Sequence, residues 1–427
     1  MIFELKNLSL THNLLIESVN PANNGNGRLA EMLADKYLDW NEVLNGARSH
    51  GITSLLHQKL TNANLLDLIP QQARQTLQNE YLILAARALV LRLQMQKLLA
   101  SFNKAGIEVI VLKGAALAET IYSDFLLRPY GDIDLLVQER DWEIIGKTLS
   151  ELNFSISGSD FANRLPRLTK FDVAQHLHFL DDQGTNLELQ FDPLQLGLGI
   201  KTINEIWQCA DVARIAGVTT KILSPEYQLL HLCVHLNKHG YRRLLWFIDI
   251  ALHIKSSFID WKKLRALAKT EGVLPSIYFT LYYLNVFFGR LVPSAVIESL
   301  KPDFVKRLVW QKLWPADKVL CFNAAHETGL VFHRELPDRW FIPNLLLAGR
   351  ASEKLHYFWC KAFPPQSFIC RKYLLAGERI NPVSYAYYCL MRIRNRNIRC
   401  NGSGVNQSRG QRRESGLFAQ GHEGRGR

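Results

Sequence analysis

The chain is 427 residues long, 48% hydrophobic and 21% charged, with a formal net charge of +12 at pH 7. That length and apolar share support a large buried core spread over two or three domains, and they exclude a fibrous or wholly disordered chain. Nine arginines against two acids fall between Arg392 and Arg427, so seven of the twelve net charges sit in the last stretch and the body is only modestly basic.

Residues 1–28 read as a loosely ordered N-terminal segment. Glu4 and Lys6 interrupt the first apolar residues and no small-residue cleavage site follows, so no signal peptide is expected. Gly25-x-Gly27-x-x-Ala30 matches a dinucleotide fingerprint only superficially, because no strand runs into it. Residues 29–104 read as a helical region. Short helices reach Leu60, and after Pro70 a long helix runs from Gln71 to Lys104, with Leu77, Tyr81, Leu84, Ala88, Leu91, Met95 and Leu98 at steps of three and four.

Residues 105–195 change character. A β-branched strand at 107–112 runs into Lys113-Gly114 and a helix at 115–122. A second strand follows at 132–137, a helix at 141–152, and two more strands at 176–179 and 187–191, joined by the turn Asp181-Asp182-Gln183-Gly184. Alternate residues of a strand share a face, so Asp132 and Asp134 leave one side together while Ile133 and Leu135 enter the core. Two carboxylates so placed suit a divalent cation. The order strand, glycine, helix N-terminus makes a phosphate site, with Gly114 allowing close backbone approach. Lys113 at that turn either contacts phosphate or caps its strand in solvent. Arg128 either offers phosphate a bidentate guanidinium or lies on the surface.

Residues 196–396 read as a C-terminal helical region, with Ser224-Pro225 as a firm helix start. His231, His235 and His239 fall at i, i+4 and i+8 on one helical face, but the glutamate of a His-Glu-x-x-His metal motif is missing, so they are expected to pack and hydrogen-bond. His176 and His178 sit on the strand before Glu188 and are candidates for touching nucleotide or acceptor. Asp249 is expected to pair with Arg242 or Arg243. The uncharged run 274–289 is too short and too polar for the roughly 20 apolar residues of a membrane span, and reads as a buried helix. Residues 397–427 read as a disordered basic tail, able to contact nucleic acid or an anionic membrane; a shifted reading frame at the 3′ end would give the same abrupt change in composition. Seven scattered cysteines without a Cys-x-x-Cys pair argue for reduced thiols in the cytoplasm and against a zinc ribbon.

The order strand, glycine, helix, then Asp-x-Asp on the next strand resembles the DNA polymerase β-like nucleotidyltransferase superfamily. Within it, Val111-Leu112-Lys113-Gly114-Ala115-Ala116-Leu117, the spaced Arg128 and Asp132-Ile133-Asp134-Leu135-Leu136-Val137 are similar to the bacterial, largely uncharacterised nucleotidyltransferase family 5. The likeness takes in Asp39-Trp40, Ala47-Arg48-Ser49-His50-Gly51, Leu187-Glu188-Leu189-Gln190-Phe191, the histidine-bearing stretch 231–240, and Phe363-Pro364-Pro365 with Arg371-Lys372-Tyr373, covering about 29–396. Gln190 and Phe191 stand where the family pattern has His and Trp, and Lys113-Gly114-Ala115 replaces the Gly-Ser turn common in the superfamily.

The resemblance implies an α/β (α+β) fold in which a small mixed-sheet core is flanked by N- and C-terminal helical regions. It implies Glu188 as a third acid, with Asp132, Asp134 and Glu188 both catalytic and metal-binding, and Lys113, Gly114 and Arg128 binding nucleotide. The expected cofactor is Mg²⁺, two ions, with Mn²⁺ able to substitute. The expected reaction transfers NMP from an NTP to an acceptor hydroxyl and releases pyrophosphate; the acceptor can be a small molecule, saccharide, protein or RNA. The alternative is a catalytically silent protein of this fold acting as a nucleic-acid or protein binding module, which the intact acidic triad disfavours.

Overall fold

Ser9, Asp39 and Asp260 each stand just before a helical run, and each caps its helix by accepting backbone N–H bonds from the first turn. The computed structural model describes residues 8–22, 25–156, 176–194 and 200–313, with single positions 319 and 386. The chain divides into two units, Met1–Trp359 and Cys360–Arg427, and every element named below belongs to the first. The expected basic tail lies outside the described residues.

The chain opens with helices α1 (Leu10–Val19), α2 (Gly27–Leu33), α3 (Trp40–His50) and α4 (Thr53–Asn62), followed by the 34-residue α5 (Gln71–Lys104). Next come β1 (Ile110–Val111), α6 (Lys113–Thr120), β2 (Ile133–Leu136), α7 (Trp142–Glu151), β3 (Ser155–Ile156), β4 (His176–Leu180), β5 (Asn186–Gln190), α8 (Ile203–Gln208), β6 (Asp211–Ile215) and β7 (Val218–Ile222). Helices α9 (Pro225–Lys238), α10 (Leu244–Ser256), α11 (Trp261–Thr270), α12 (Leu274–Phe288), α13 (Ser294–Leu300) and α14 (Phe304–Leu313) complete the described part. The fold is α/β, a mixed sheet with helical regions before and after it.

The strands lie in the order β3-β4-β5-β2-β1-β7-β6. β2 pairs parallel with β5 and β1 parallel with β7, while the remaining pairings are antiparallel. Alternation then sorts the two faces. Ile133, Leu135, Leu187 and Leu189 join Met95, Leu98, Leu99 and Phe102 of α5 in one apolar cluster. Ile110, Leu112 and Leu136 point the other way, into a second cluster built largely from α1–α4 and α9–α12. The side chains at 134, 188 and 190 share that second face.

Two regions differ from expectation. Residues 10–19, expected to be loosely ordered, form α1, because Leu14, Leu15 and Ile16 bury against the opening helices. Within 196–396, expected to be helical, β6 and β7 form a hairpin on the edge of the sheet. Its turn, Ala216-Gly217, takes φ of 50° and 81°, the left-handed pair that matches the twist of hairpin strands. The uncharged run at 274–289 contains α12, whose Ile277, Leu281 and Leu284 are fully buried; among the described residues no helix is long and apolar enough to cross a membrane.

Candidate metal and nucleotide site

Asp132 lies one residue before β2 and Asp134 within it, as their spacing predicts. The parallel register sets Asp134 beside Glu188 of β5. Burial is deep: Asp134 is 3% and Glu188 7% exposed, while Asp132 is half-buried. One ligand oxygen from each of the three carboxylates lies within 4.8 Å of the others, a hard oxygen set of the kind divalent cations prefer.

Two donors hold this cluster. Lys113 Nζ donates to Asp134 Oδ1 at 2.6 Å and to Glu188 Oε2 at 3.4 Å, and Gln190 Nε2 donates to the same Asp134 oxygen at 2.7 Å. Burial drives the Asp134 carboxyl up to about 7; the Lys113 charge opposes this and the Glu188 charge reinforces it. Burial disfavours the Lys113 ammonium, but Asp134 and Glu188 outweigh it and raise its pKa. Lys113, expected to touch phosphate or solvent, is thus paired with the acids. It also adopts the left-handed region, at φ 48°, a conformation that costs a side-chain-bearing residue about 1 kcal/mol or more.

Gly114 is the second residue of α6, and a Cβ added there would stand 2.7 Å from Tyr130 Cβ and 3.3 Å from an Arg128 terminal nitrogen. The space a side chain would need is therefore taken by the protein itself, whereas the sequence reading reserved it for phosphate. Arg128 is 6% exposed, and its Nε and Nη2 fork onto the two oxygens of Asp249 of α10 at 2.8 Å each, while Nη1 donates to the Pro129 carbonyl. Tyr122 adds its hydroxyl to Asp249 at 2.7 Å. Asp249 is thus paired with Arg128, and the expected pairing with Arg242 or Arg243 is corrected. A guanidinium so engaged is a strut between α10 and the approach to β2.

The histidine face of α9 contributes more than packing. His231 is buried and its Nδ1 meets the Pro193 carbonyl at 2.7 Å. Burial pushes His231 and His239 down to about 3 and His235 well below its ordinary value; the Lys113 charge lowers all three, so the stripe lies within its electrostatic reach. Trp246 of α10 packs on His235 and His239, with ring centroids 5.0 and 5.2 Å away. The sequence held a signal for this, the i, i+4, i+8 spacing, but no way to know what the face meets. His178 stands opposite Glu188 across β4 and β5, and His176 opposite Gln190.

Residues 36–289 match a family described as uncharacterised nucleotidyltransferases. No curated protein matches the chain.

Proposed function

The chain belongs to that uncharacterised nucleotidyltransferase family, and from this premise we propose that it transfers NMP from an NTP to an acceptor hydroxyl and releases pyrophosphate. The observation that carries the reading is the convergence of Asp132, Asp134 and Glu188, three carboxylates whose mutual repulsion in a largely buried site calls for a divalent counter-charge. Asp132, Asp134 and Glu188 would hold Mg²⁺, with two ions as the full complement and Mn²⁺ as a substitute. When bound, these ions supply positive charge to the triphosphate and to the attacking oxygen.

The remaining work falls to the chain's own residues. Glu188 accepts the proton of the acceptor hydroxyl as its oxygen bonds to the α-phosphorus and the bond to the pyrophosphate oxygen breaks. Lys113 and the first backbone N–H groups of α6 serve phosphate oxygens. Gln190 fixes the orientation of Asp134. Gly114 keeps the start of α6 against Tyr130, and Arg128 keeps α10 on the core; neither is assigned a phosphate contact. The scattered cysteines favour the cytoplasm as the place of action.

The test is incubation with each α-labelled NTP, Mg²⁺ or Mn²⁺ and a cell extract. Label transferred to a macromolecule or small molecule by the wild type and not by Asp132→Asn supports the reading. Equal transfer by both proteins, or none by the wild type with any NTP, rejects it.

A further inference from the structure

The imidazole stripe of α9, continued by His239 at its C-terminal end, takes no part in the chemistry above, yet it lies within electrostatic reach of Lys113. His231 Nδ1 faces a carbonyl, which can only accept, so that nitrogen carries the proton. Burial and the Lys113 charge keep the ring neutral, which leaves Nε2 as a bare acceptor. It is buried and has no hydrogen-bond partner among the described residues, and the same holds for Gln190 Oε1 at the end of β5, three residues before the Pro193 that orients His231. Buried acceptors without donors are costly and rare in a finished structure. Further along the stripe, His235 and His239 are half-buried, as are Trp246 and Arg243. The Arg243 guanidinium lies 5.4 Å over the Trp246 ring and feels the charges of Arg128 and Asp132. This flank therefore offers ring faces, a cation and an unmet acceptor. A metal is not the occupant these histidines suit, because among the described residues only Asp132, Asp134 and Glu188 converge as a ligand group.

We propose that the flank formed by His231, His235, His239, Trp246 and Arg243 binds the nucleobase of the incoming nucleotide, which stacks on the ring cluster and donates an amino N–H to His231 Nε2. The proposal rests on the nucleotidyl-transfer reading and deepens it. A planar base has the π-faces that such a cluster recognises, and the Lys113 charge that lowers all three histidines puts this flank within electrostatic reach of phosphates held at Lys113. A bare acceptor selects a base carrying an amino group, adenine or cytosine, over the counterpart with a carbonyl in the same place.

Calorimetric titration of the full chain with Mg²⁺ and inorganic tripolyphosphate, ATP, ITP, CTP or UTP separates this proposal from the reading beneath it. Expected is tripolyphosphate binding, with ATP or CTP at least about tenfold tighter than both tripolyphosphate and the keto partner, ITP or UTP. Trp246→Ala should weaken that NTP about tenfold and leave tripolyphosphate binding unchanged, which also reports an intact fold. His231→Phe should abolish the amino-over-keto preference. His239→Ala, at a half-buried position, gives a second stacking variant should Trp246→Ala fail to fold. Tripolyphosphate binding as tight as any NTP, no amino preference, or variants that weaken tripolyphosphate as much as the NTP would overturn the base site while leaving the acid cluster standing. Failure of tripolyphosphate and every NTP to bind would remove the nucleotidyl-transfer reading, and the base site with it.

Discussion

Asp249→Ala tests the buried ion pair most sharply. Asp249 is 0% exposed and accepts from Arg128 Nε and Nη2 at 2.8 Å each and from the Tyr122 hydroxyl at 2.7 Å. Its removal strands a guanidinium that cannot shed its proton; among the described residues the Pro129 carbonyl is the hydrogen-bond partner it keeps. Deleting one partner of a buried pair costs about 3–5 kcal/mol. Three hydrogen bonds to a charged acceptor, at about 1.5 kcal/mol each, give a similar figure. Because typical domains are stable by only about 5–15 kcal/mol, urea unfolding should show a large fall in the midpoint. Arg128→Met combined with Asp249→Leu removes both charges and should recover most of the loss. A cost below about 1 kcal/mol for Asp249→Ala, or a double variant worse than both single variants, would refute the buried fork and return Arg128 to the list of phosphate ligands.

Asp132→Asn, at the half-buried acid, should abolish label transfer while leaving the urea midpoint unchanged, whereas Asp134→Asn should also lose about 1–3 kcal/mol because it weakens the Lys113 and Gln190 bonds; wild-type transfer by either variant would sink the metal assignment. Glu188→Gln should cut turnover by orders of magnitude yet weaken binding of a non-hydrolysable NTP with Mg²⁺ much less, and the reverse pattern would mean that the acids have been given the wrong roles. Gly114→Ala should destabilise by about 1–3 kcal/mol in urea unfolding, because the new Cβ meets Tyr130 Cβ at 2.7 Å, and a neutral result would show that the start of α6 moves freely. Stability should fall on acidification: burial, reinforced by the His12 charge, pushes His50 from 6.5 to about 3 while its Nδ1 accepts the Leu244 N–H. The unfolded chain then binds the proton that the folded chain refuses, so this contribution is full above about pH 6.5 and shrinks as pH falls toward about 3. Between about pH 7.5 and about pH 5.5 the loss is about 1.4 kcal/mol per such histidine, and His50→Gln should reduce the measured fall by that amount; an unchanged slope would contradict a buried neutral ring.

Elements whose signals are local are legible in the chain alone. Apolar steps of three and four gave α5 its bounds, and the alternation at 132–136 put Asp132 and Asp134 on one side and Ile133 and Leu135 in the core. The likeness to nucleotidyltransferases supplied Glu188, which no spacing near Asp134 points to. Two further signals are local: the β-branched runs on either side of Ala216-Gly217, and the Ser9 cap before Leu14, Leu15 and Ile16. The partner that each polar group meets is fixed when distant elements pack. Lys113 faces Asp134 and Glu188 because β2 and β5 pair in that register, and Arg128 meets Asp249 because α10 packs where it does, 121 residues on. Gly114 is required by Tyr130, a neighbour on a different segment. The division has a physical reason. Helix and strand periodicity is a property of consecutive backbone units, readable in a short window, whereas the partner of a buried charge is set by which distant elements exclude water around it.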